Sequence, residues 1–349
     1  MSQADVARHH ALPGAPAPVE RLNHMLTGLF LARSVLLAAE LAIADLLKEG
    51  ALSVDELAQR TTSNPEALYR MLRALAAAGV FEERPGRCFA NSELSTFLRS
   101  DVDGSLRAVA RWLGDGTGWA AWGRLDHSIR TGAPAFDAAF GCDFFSYMKQ
   151  HPRTLDVFQA AMTSYSALTG GAVAEAYDFS SIRTLLDVGG GLGALLGFIL
   201  DRFDGLSAIL YDRPEVIAQA KPLLQSSPHA RRVRAEAGDF FERVPEGADA
   251  IIMKHVIHDW SDERCALVLA NCRRSLPPGG RLLVVESVLT DRPESTFAKF
   301  LDLEMLVVTP GGRERTREEL AGLLEGAGFE LTRVLPTRSP VCVIEALAR

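Results

Sequence analysis

The chain predicts an α/β protein in which a doubly wound, mostly parallel sheet is preceded by a smaller, largely helical domain. Three observations carry that expectation. Short apolar runs near 184–188, 207–211, 233–237, 249–254 and 281–286 alternate with helical stretches, each but the last clearly followed by a helix. That alternation is the pattern of βαβ units. One run, Thr184-Leu185-Leu186-Asp187-Val188, passes straight through Gly189-Gly190-Gly191-Leu192-Gly193 into a helix. Upstream of all of them, residues 51–100 read as helix, helix and hairpin.

The elements follow in order. Residues 1–20 are Ala/Pro-rich with a His pair and no apolar h-region, which suggests a floppy tail and not a signal peptide. A helix is expected from about Leu22 to Leu47, apolar on more than one face. A single domain core does not easily account for all of that surface, and such surface on a protein usually meets a partner. In 51–100, Ser53 with Glu56 three residues on forms a capping box, and Asn64-Pro65 opens a second helix through Leu68, Met71, Leu72 and Leu75. Val80-Phe81 and Cys88-Phe89 then pair around Pro85-Gly86, giving a winged-helix pattern. A DNA-binding regulator is the alternative here. The second helix, however, mixes Glu66 with Arg70 and Arg73 and carries no basic stripe or long polar readers.

Residues 106–180 link the halves. Trp112, Trp119 and Trp122 cluster among glycines, and one helical stretch is expected from Phe144 through Phe158 to Met162. These side chains suit either ordinary core or the pocket of a flat apolar ligand. The domain boundaries expected are therefore 1–20, 21–105, 106–180 and 181–349. At the C-terminus, a helix from Arg317 to Glu325 precedes the runs Phe329–Leu335 and Val341–Leu347, a hairpin that adds an antiparallel strand to the sheet.

Composition excludes several classes. With 349 residues and 48% hydrophobic content, two sizeable cores are within reach. A net charge of −7 argues against a nucleic-acid partner. The five cysteines lack metal spacing; Cys265 and Cys272, seven apart on one helix face, read as small core residues. Reduced thiols fit the cytoplasm. The longest apolar stretch, Leu29–Leu47, is interrupted by Arg33, Glu40 and Asp45, so no membrane span is expected.

Four strand ends carry the chemistry. The glycine turn after Asp187 also fits the dinucleotide fingerprint, as Gly189-x-Gly191-x-x-Ala194. Asp187 suits a cationic cofactor and repels a pyrophosphate, though it could equally cap the turn. Asp212, ending the second strand, is placed to take both ribose hydroxyls. Gly238-Asp239-Phe240-Phe241, after the third, sets an acid beside an aromatic face for an adenine amino group. After the fourth come Lys254-His255-Val256-Ile257-His258-Asp259-Trp260, where His258 offers an imidazole that moves protons near neutral pH. Together these suit S-adenosyl-L-methionine.

On Asp187–Gly193, Tyr211-Asp212-Arg213-Pro214, Gly238–Phe241, Lys254–Glu263 and Gly311-Gly312-Arg313-Glu314-Arg315-Thr316, the chain resembles the small-molecule O-methyltransferases typified by plant caffeic acid O-methyltransferase. The resemblance runs from about residue 20 to the end. It implies a Rossmann-like methyltransferase sheet with an antiparallel C-terminal strand and an N-terminal winged-helix domain that forms a homodimer. It also implies proton removal from an acceptor hydroxyl by His258, flanked by Glu286 and Glu314, with Lys254, Asp212 and Asp239 near the cofactor. Met162 matches a substrate-pocket methionine, Asp259 either contacts substrate or caps the next helix, and no metal is required. A bacterial-looking Ala/Arg-rich composition suggests an aromatic or polyketide-type secondary metabolite as the acceptor. N-methylation and non-methylating chemistry on the same fold are the alternatives, and an intact His258 with Glu286 and Glu314 argues against the second.

Overall fold

Pro18, whose missing N–H costs nothing in a first turn, opens the N-terminal helix Pro18–Glu40 in this computed structural model, which describes residues 17–292 and 296–349. The helix thus begins inside the stretch expected as a tail; residues 1–16, where the rest of that expectation falls, lie outside the described residues. The chain forms two units, one reaching to Ala110 and one from Arg111 to Arg349.

In the first unit the helix does not run on to Leu47. It stops at Leu41, Ala42 adopts a left-handed backbone (φ 55°), and a short helix, Ile43–Leu46, follows. No glycine or proline marks the break. The turn sets Ile43, Ala44 and Leu47 into a core with Leu57, Leu72, Leu75, Phe81 and Phe89. Burying that surface outweighs the roughly 1–2 kcal/mol that an alanine loses in this conformation. The outer helix keeps its apolar surface exposed at Val19, Leu22, Met25, Leu26, Leu29 and Phe30, with Met25 and Phe30 each 70% exposed. By length and composition alone, Pro18–Glu40 is apolar enough to cross a membrane, despite the charges that interrupt it. Next come β1 (Leu52–Ser53), the helices Val54–Thr61 and Pro65–Ala77, β2 (Phe81–Arg84) and β3 (Cys88–Asn91), in an antiparallel sheet ordered β1-β3-β2. Ser53 and Glu56 close the expected capping box, and Asn64 caps the second helix.

The second unit is built on seven strands. β4 (Thr184–Val188), β5 (Ser207–Asp212), β6 (Val233–Ala237), β7 (Ala250–Lys254) and β8 (Arg281–Glu286) are parallel. Two short strands, β9 (Val288–Leu289) and β10 (Arg315–Thr316), pair apart from the main sheet. β11 (Phe329–Pro336) and β12 (Cys342–Ala348) complete the order β11-β12-β8-β7-β4-β5-β6, with β12 antiparallel to both neighbours. Leu186 and Val188 face one apolar core and Leu185 the other, which is why the central strands read as unbroken apolar runs. From β4 the chain winds to β5 and β6, then returns to β7 on β4's other side. The reversal leaves a crevice at the carboxyl ends of β4 and β7, where open α/β sheets bind ligands.

Two further expectations need correction. No helix follows β6: residues 238–249 cross to β7 as turns and loop, with Pro245 and Gly247 (φ 101°) interrupting any helical run. The stretch 144–162 is also two helices, Phe144–Gln150 and Pro152–Ala176. Pro152 forces its predecessor out of the helical region, and His151 sits at φ −125°, ψ 78°. Trp112, Phe136, Phe144 and Phe158 from this region form an edge-on aromatic core that also receives Val307 and Val308.

Candidate active site

β4 delivers Asp187 to the crevice almost fully buried, and its Oδ2 has no hydrogen-bond partner. Burial, then the nearby charge of Asp212, pushes its carboxyl up to about 7, while Lys254 opposes the rise. The capping alternative gains no support from that orphaned oxygen. The turn that follows is shaped by close approach. Gly189 and Gly190 both donate to the Tyr211 carbonyl, at 2.8 and 3.4 Å. A Cβ on Gly190 would stand 2.6 Å from the Asp187 carboxyl carbon, and one on Gly189 would press on Val256.

β5 ends on Asp212, whose Oδ2 accepts from Gly191 N at 2.8 Å and whose Oδ1 accepts from Arg213 N at 2.7 Å. Burial raises this carboxyl, and the two amide bonds pull against it. At the end of β6, Gly238 has the Tyr211 hydroxyl where a Cβ would lie, and that hydroxyl donates to the Arg243 carbonyl. Asp239 is exposed and accepts from Phe241 N. Phe240 comes within 3.8 Å of the Cβ position of Gly189, so an aromatic ring does border the glycine turn.

The end of β7 is the densest part. Burial lowers Lys254 to about 8 against the support of Glu286 and Asp187. His255 has a left-handed backbone (φ 53°), and the chain then forms a single 3₁₀ turn, Ile257–Asp259. A β-carbon residue in that conformation carries strain that its surroundings must hold. Glu286 Oε1 accepts from the amides of Val256 (3.1 Å) and His258 (3.4 Å), bracing the turn. Arg315 braces it from the other side. Its guanidinium, buried and paired with Asp262, donates to the carbonyls of Ile257 (2.9 Å) and Trp260 (2.8 Å).

The His258 ring is buried, with Nδ1 2.7 Å from Glu314 Oε1. A carboxylate only accepts, so Nδ1 carries the hydrogen and Nε2 is the nitrogen left for exchange. Of the two flanking acids, Glu314 therefore orients the ring, while Glu286 Oε2 stands farther off at 3.5 Å. Asp259 Oδ1 lies 3.6 Å from Nε2, and the helix Asp262–Ser275 begins after Ser261, so Asp259 does not cap it. Burial alone would lower the imidazole. The charges of Glu286, Asp259 and Glu314 outweigh it and raise His258 to about 10. Glu286 and Asp259 are themselves pushed up by burial, to about 7 and about 6.

Three contributors escaped the sequence reading. Gln159 brings Oε1 within 3.6 Å of the Cβ position of Gly191, setting the helix Pro152–Ala176 against the glycine turn. Arg315 and His255 were quoted only as neighbours of other residues. Met162 is half-buried on the same helix as Gln159, packed against the aromatic core. His255, His258 and Glu286 bring donor atoms within 4.8 Å of one another, a spacing open to a metal ion. Yet His258 Nδ1 is committed to Glu314 and Glu286 Oε1 to two amides. A separate cavity of about 480 Å³, lined by Arg234, Arg243, Asn271 and Arg274, shares none of these residues.

A parallel sheet with one inserted antiparallel strand, an acid at each of three successive strand ends and a carboxylate-held histidine at the fourth define the methyltransferase class. Residues 122–330 match the O-methyltransferase domain family and residues 23–101 the O-methyltransferase dimerisation domain. The chain belongs to this family, the plant-type O-methyltransferases, and is an S-adenosylmethionine-dependent enzyme. It is 39% identical to phenazine O-methyltransferase PhzM of Lysobacter antibioticus over 325 residues, 93% of this chain and 95% of that one. It is also 39% identical to mitomycin biosynthesis 6-O-methyltransferase of Streptomyces lavendulae over 331 residues, 94% of each chain. The crystal structure of LaPhzM superposes with a TM-score of 0.92 at 38% identity, over 95% of this chain and all of the other. The site fits the cofactor: the orphaned Asp187 oxygen offers a negative group to a cation, and the glycine turn leaves its backbone open to close approach.

Proposed function

We propose that this enzyme methylates a hydroxyl of a small aromatic or polyketide-type secondary metabolite, with His258 as general base. The observation that carries the reading is the 2.7 Å contact between His258 Nδ1 and Glu314, which fixes the tautomer that leaves Nε2 to take a proton. Relatives named for a phenazine, for mitomycin biosynthesis, for O-demethylpuromycin and for 3-amino-4-hydroxybenzoate support the acceptor class. Asp187, Gly189, Gly191, Asp212, Gly238, Asp239, Phe240 and Lys254 would hold S-adenosylmethionine, which supplies an electrophilic methyl on a positive sulfur. Met162 and Asp259 would meet the acceptor.

His258 accepts the hydroxyl proton at Nε2 while Glu314 stabilises the imidazolium that results, a contribution of roughly 10²–10⁴-fold. Only the neutral ring accepts a proton. Because the surrounding carboxylates raise His258 to about 10, turnover climbs as pH rises into the alkaline range. Glu286 and Arg315 hold the turn so that Nε2 keeps its aim, and positioning supplies much of the remaining rate. The exposed apolar face of Pro18–Glu40, inside the dimerisation match, would meet a second copy of the chain, and the five free cysteines suit a reducing cytosol.

An acceptor screen with a labelled methyl donor tests the reading. Label on the oxygen of phenolic acceptors is expected; label only on nitrogen, or none on any hydroxylated aromatic, would overturn it.

A further inference from the structure

We propose that Glu304 forms a subsite for a nitrogen-bound hydrogen on the acceptor, an amino group or a protonated ring nitrogen. The inference rests on the acceptor class proposed above and narrows it. Glu304 lies on the helix Thr296–Val308, whose Met305, Val307 and Val308 are buried, the last two in the aromatic core. One carboxylate oxygen accepts from the Trp122 indole N–H. The other, Oε1, has no hydrogen-bond partner among the described residues, and Glu304 forms no ion pair with any of them. The side chain is largely enclosed by protein yet keeps some accessible surface. Burial pushes its carboxyl up, and the Trp122 bond offsets only part of that. A carboxylate desolvated without a cation is costly unless a ligand completes it.

Its neighbours place it toward the acceptor. Tyr165, whose ionisation is opposed by the Glu304 charge, lies three residues beyond Met162 on one helix, hence on the same side. That helix reaches the glycine turn through Gln159. Two residues before Glu304, Asp302 accepts from the amide of Glu314, the residue that orients His258. Phe145, partly buried against the same aromatic core, stacks on Trp260 at 5.1 Å, two residues beyond His258. Helix Thr296–Val308 and helix Pro152–Ala176 therefore meet in one aromatic core, whose edge at Phe145 and Trp260 reaches the turn that carries the base. A flat acceptor there would turn its hydroxyl to Nε2 and a second edge to Glu304. A donor N–H on that edge supplies the hydrogen Oε1 lacks; an anionic or purely apolar edge does not.

The test compares 1-naphthol with its isomeric amino-1-naphthols, by calorimetry on the enzyme loaded with S-adenosylhomocysteine and by kcat/KM with S-adenosylmethionine. At least one amino isomer is expected to bind about 10- to 100-fold tighter than 1-naphthol, the range of a hydrogen bond to a buried charge. Glu304→Gln, which keeps the shape and the Trp122 contact, should erase that preference while S-adenosylhomocysteine still binds. Equal binding of all isomers, no binding of any, or a preference that survives Glu304→Gln would overturn the subsite. The comparison on the unaltered enzyme decides even if the variant folds poorly. Preference without methylation would sink the proposed reaction and leave the subsite; methylation without preference would do the reverse.

Discussion

Replacing Glu314 by Gln should move the pH profile of the enzyme toward acid. Glu314 Oε1 is 2.7 Å from His258 Nδ1, the shortest of the three carboxylate contacts to that ring; Glu286 and Asp259 stand at 3.5 and 3.6 Å. Together they raise His258 from 6.5 to about 10 against its burial, a rise worth roughly 5 kcal/mol in favour of the imidazolium. Removing one opposite charge at this distance typically lowers such a value by about 1–3 pH units. The base works only when neutral, so kcat/KM is small below the folded value and rises as pH passes through it. In Glu314→Gln the rise should come about 1–3 pH units lower, while the maximum falls because the ring loses its anchor. The assay is kcat/KM for a phenolic acceptor from neutral to alkaline pH, paired with an NMR titration of the His258 ring in both proteins. The acceptor's own ionisation is the same in both, so only the displacement between the profiles counts. An unchanged rise, with an unchanged ring titration, would refute the claim that Glu314 shares in holding the base protonated.

Three further outcomes are expected. Asp212→Asn removes a charge whose oxygens accept from Gly191 and Arg213 at the mouth of the crevice, and should weaken S-adenosylhomocysteine binding about 10- to 100-fold by calorimetry; unchanged affinity would take Asp212 out of the cofactor site. Gly238→Ala drives a methyl into the Tyr211 hydroxyl, so its melting temperature should drop by an amount reflecting about 1–3 kcal/mol, and an unaltered melt would mean the β5–β6 end has slack. Met25→Asp with Phe30→Asp charges the exposed apolar helix and should convert a dimer to monomers in light scattering, whereas an intact dimer would put the interface elsewhere.

The sheet was legible because its central strands are buried on both faces and leave unbroken apolar runs, and because each ends on a polar or glycine signal. Asp212, Gly238 and His258 are read as candidates from their position at those ends. What was not legible has identifiable causes. The break at Ala42 has no local signal, since the burial of Ile43 and Leu47 creates it. The missing helix after β6 did have signals, Pro245 and Gly247, which the alternating pattern overrode. The division of labour between Glu286 and Glu314 depends on distances across 28 and 56 residues of chain, so the sequence could offer both as ring partners but not separate them. Arg315 looks like any surface arginine until its guanidinium is seen buried against Asp262 and the carbonyls of the His258 turn. Gln159 lies on a helix read for its aromatic and methionine residues, and only the folded packing brings it to Gly191.

The central claim is that His258 Nε2 removes the acceptor proton, and His258→Ala tests it most directly. Methyl transfer to the true acceptor should fall at neutral pH, by less than the full range of about 10²–10⁴-fold because most of the unaltered ring is still protonated there. S-adenosylhomocysteine affinity should stay nearly intact because the substitution leaves Asp187, Asp212 and Asp239 untouched. With a phenolic acceptor, activity should recover in part at high pH, where the phenolate needs no base. Full turnover by His258→Ala at neutral pH would contradict general-base catalysis and leave positioning to carry the reaction.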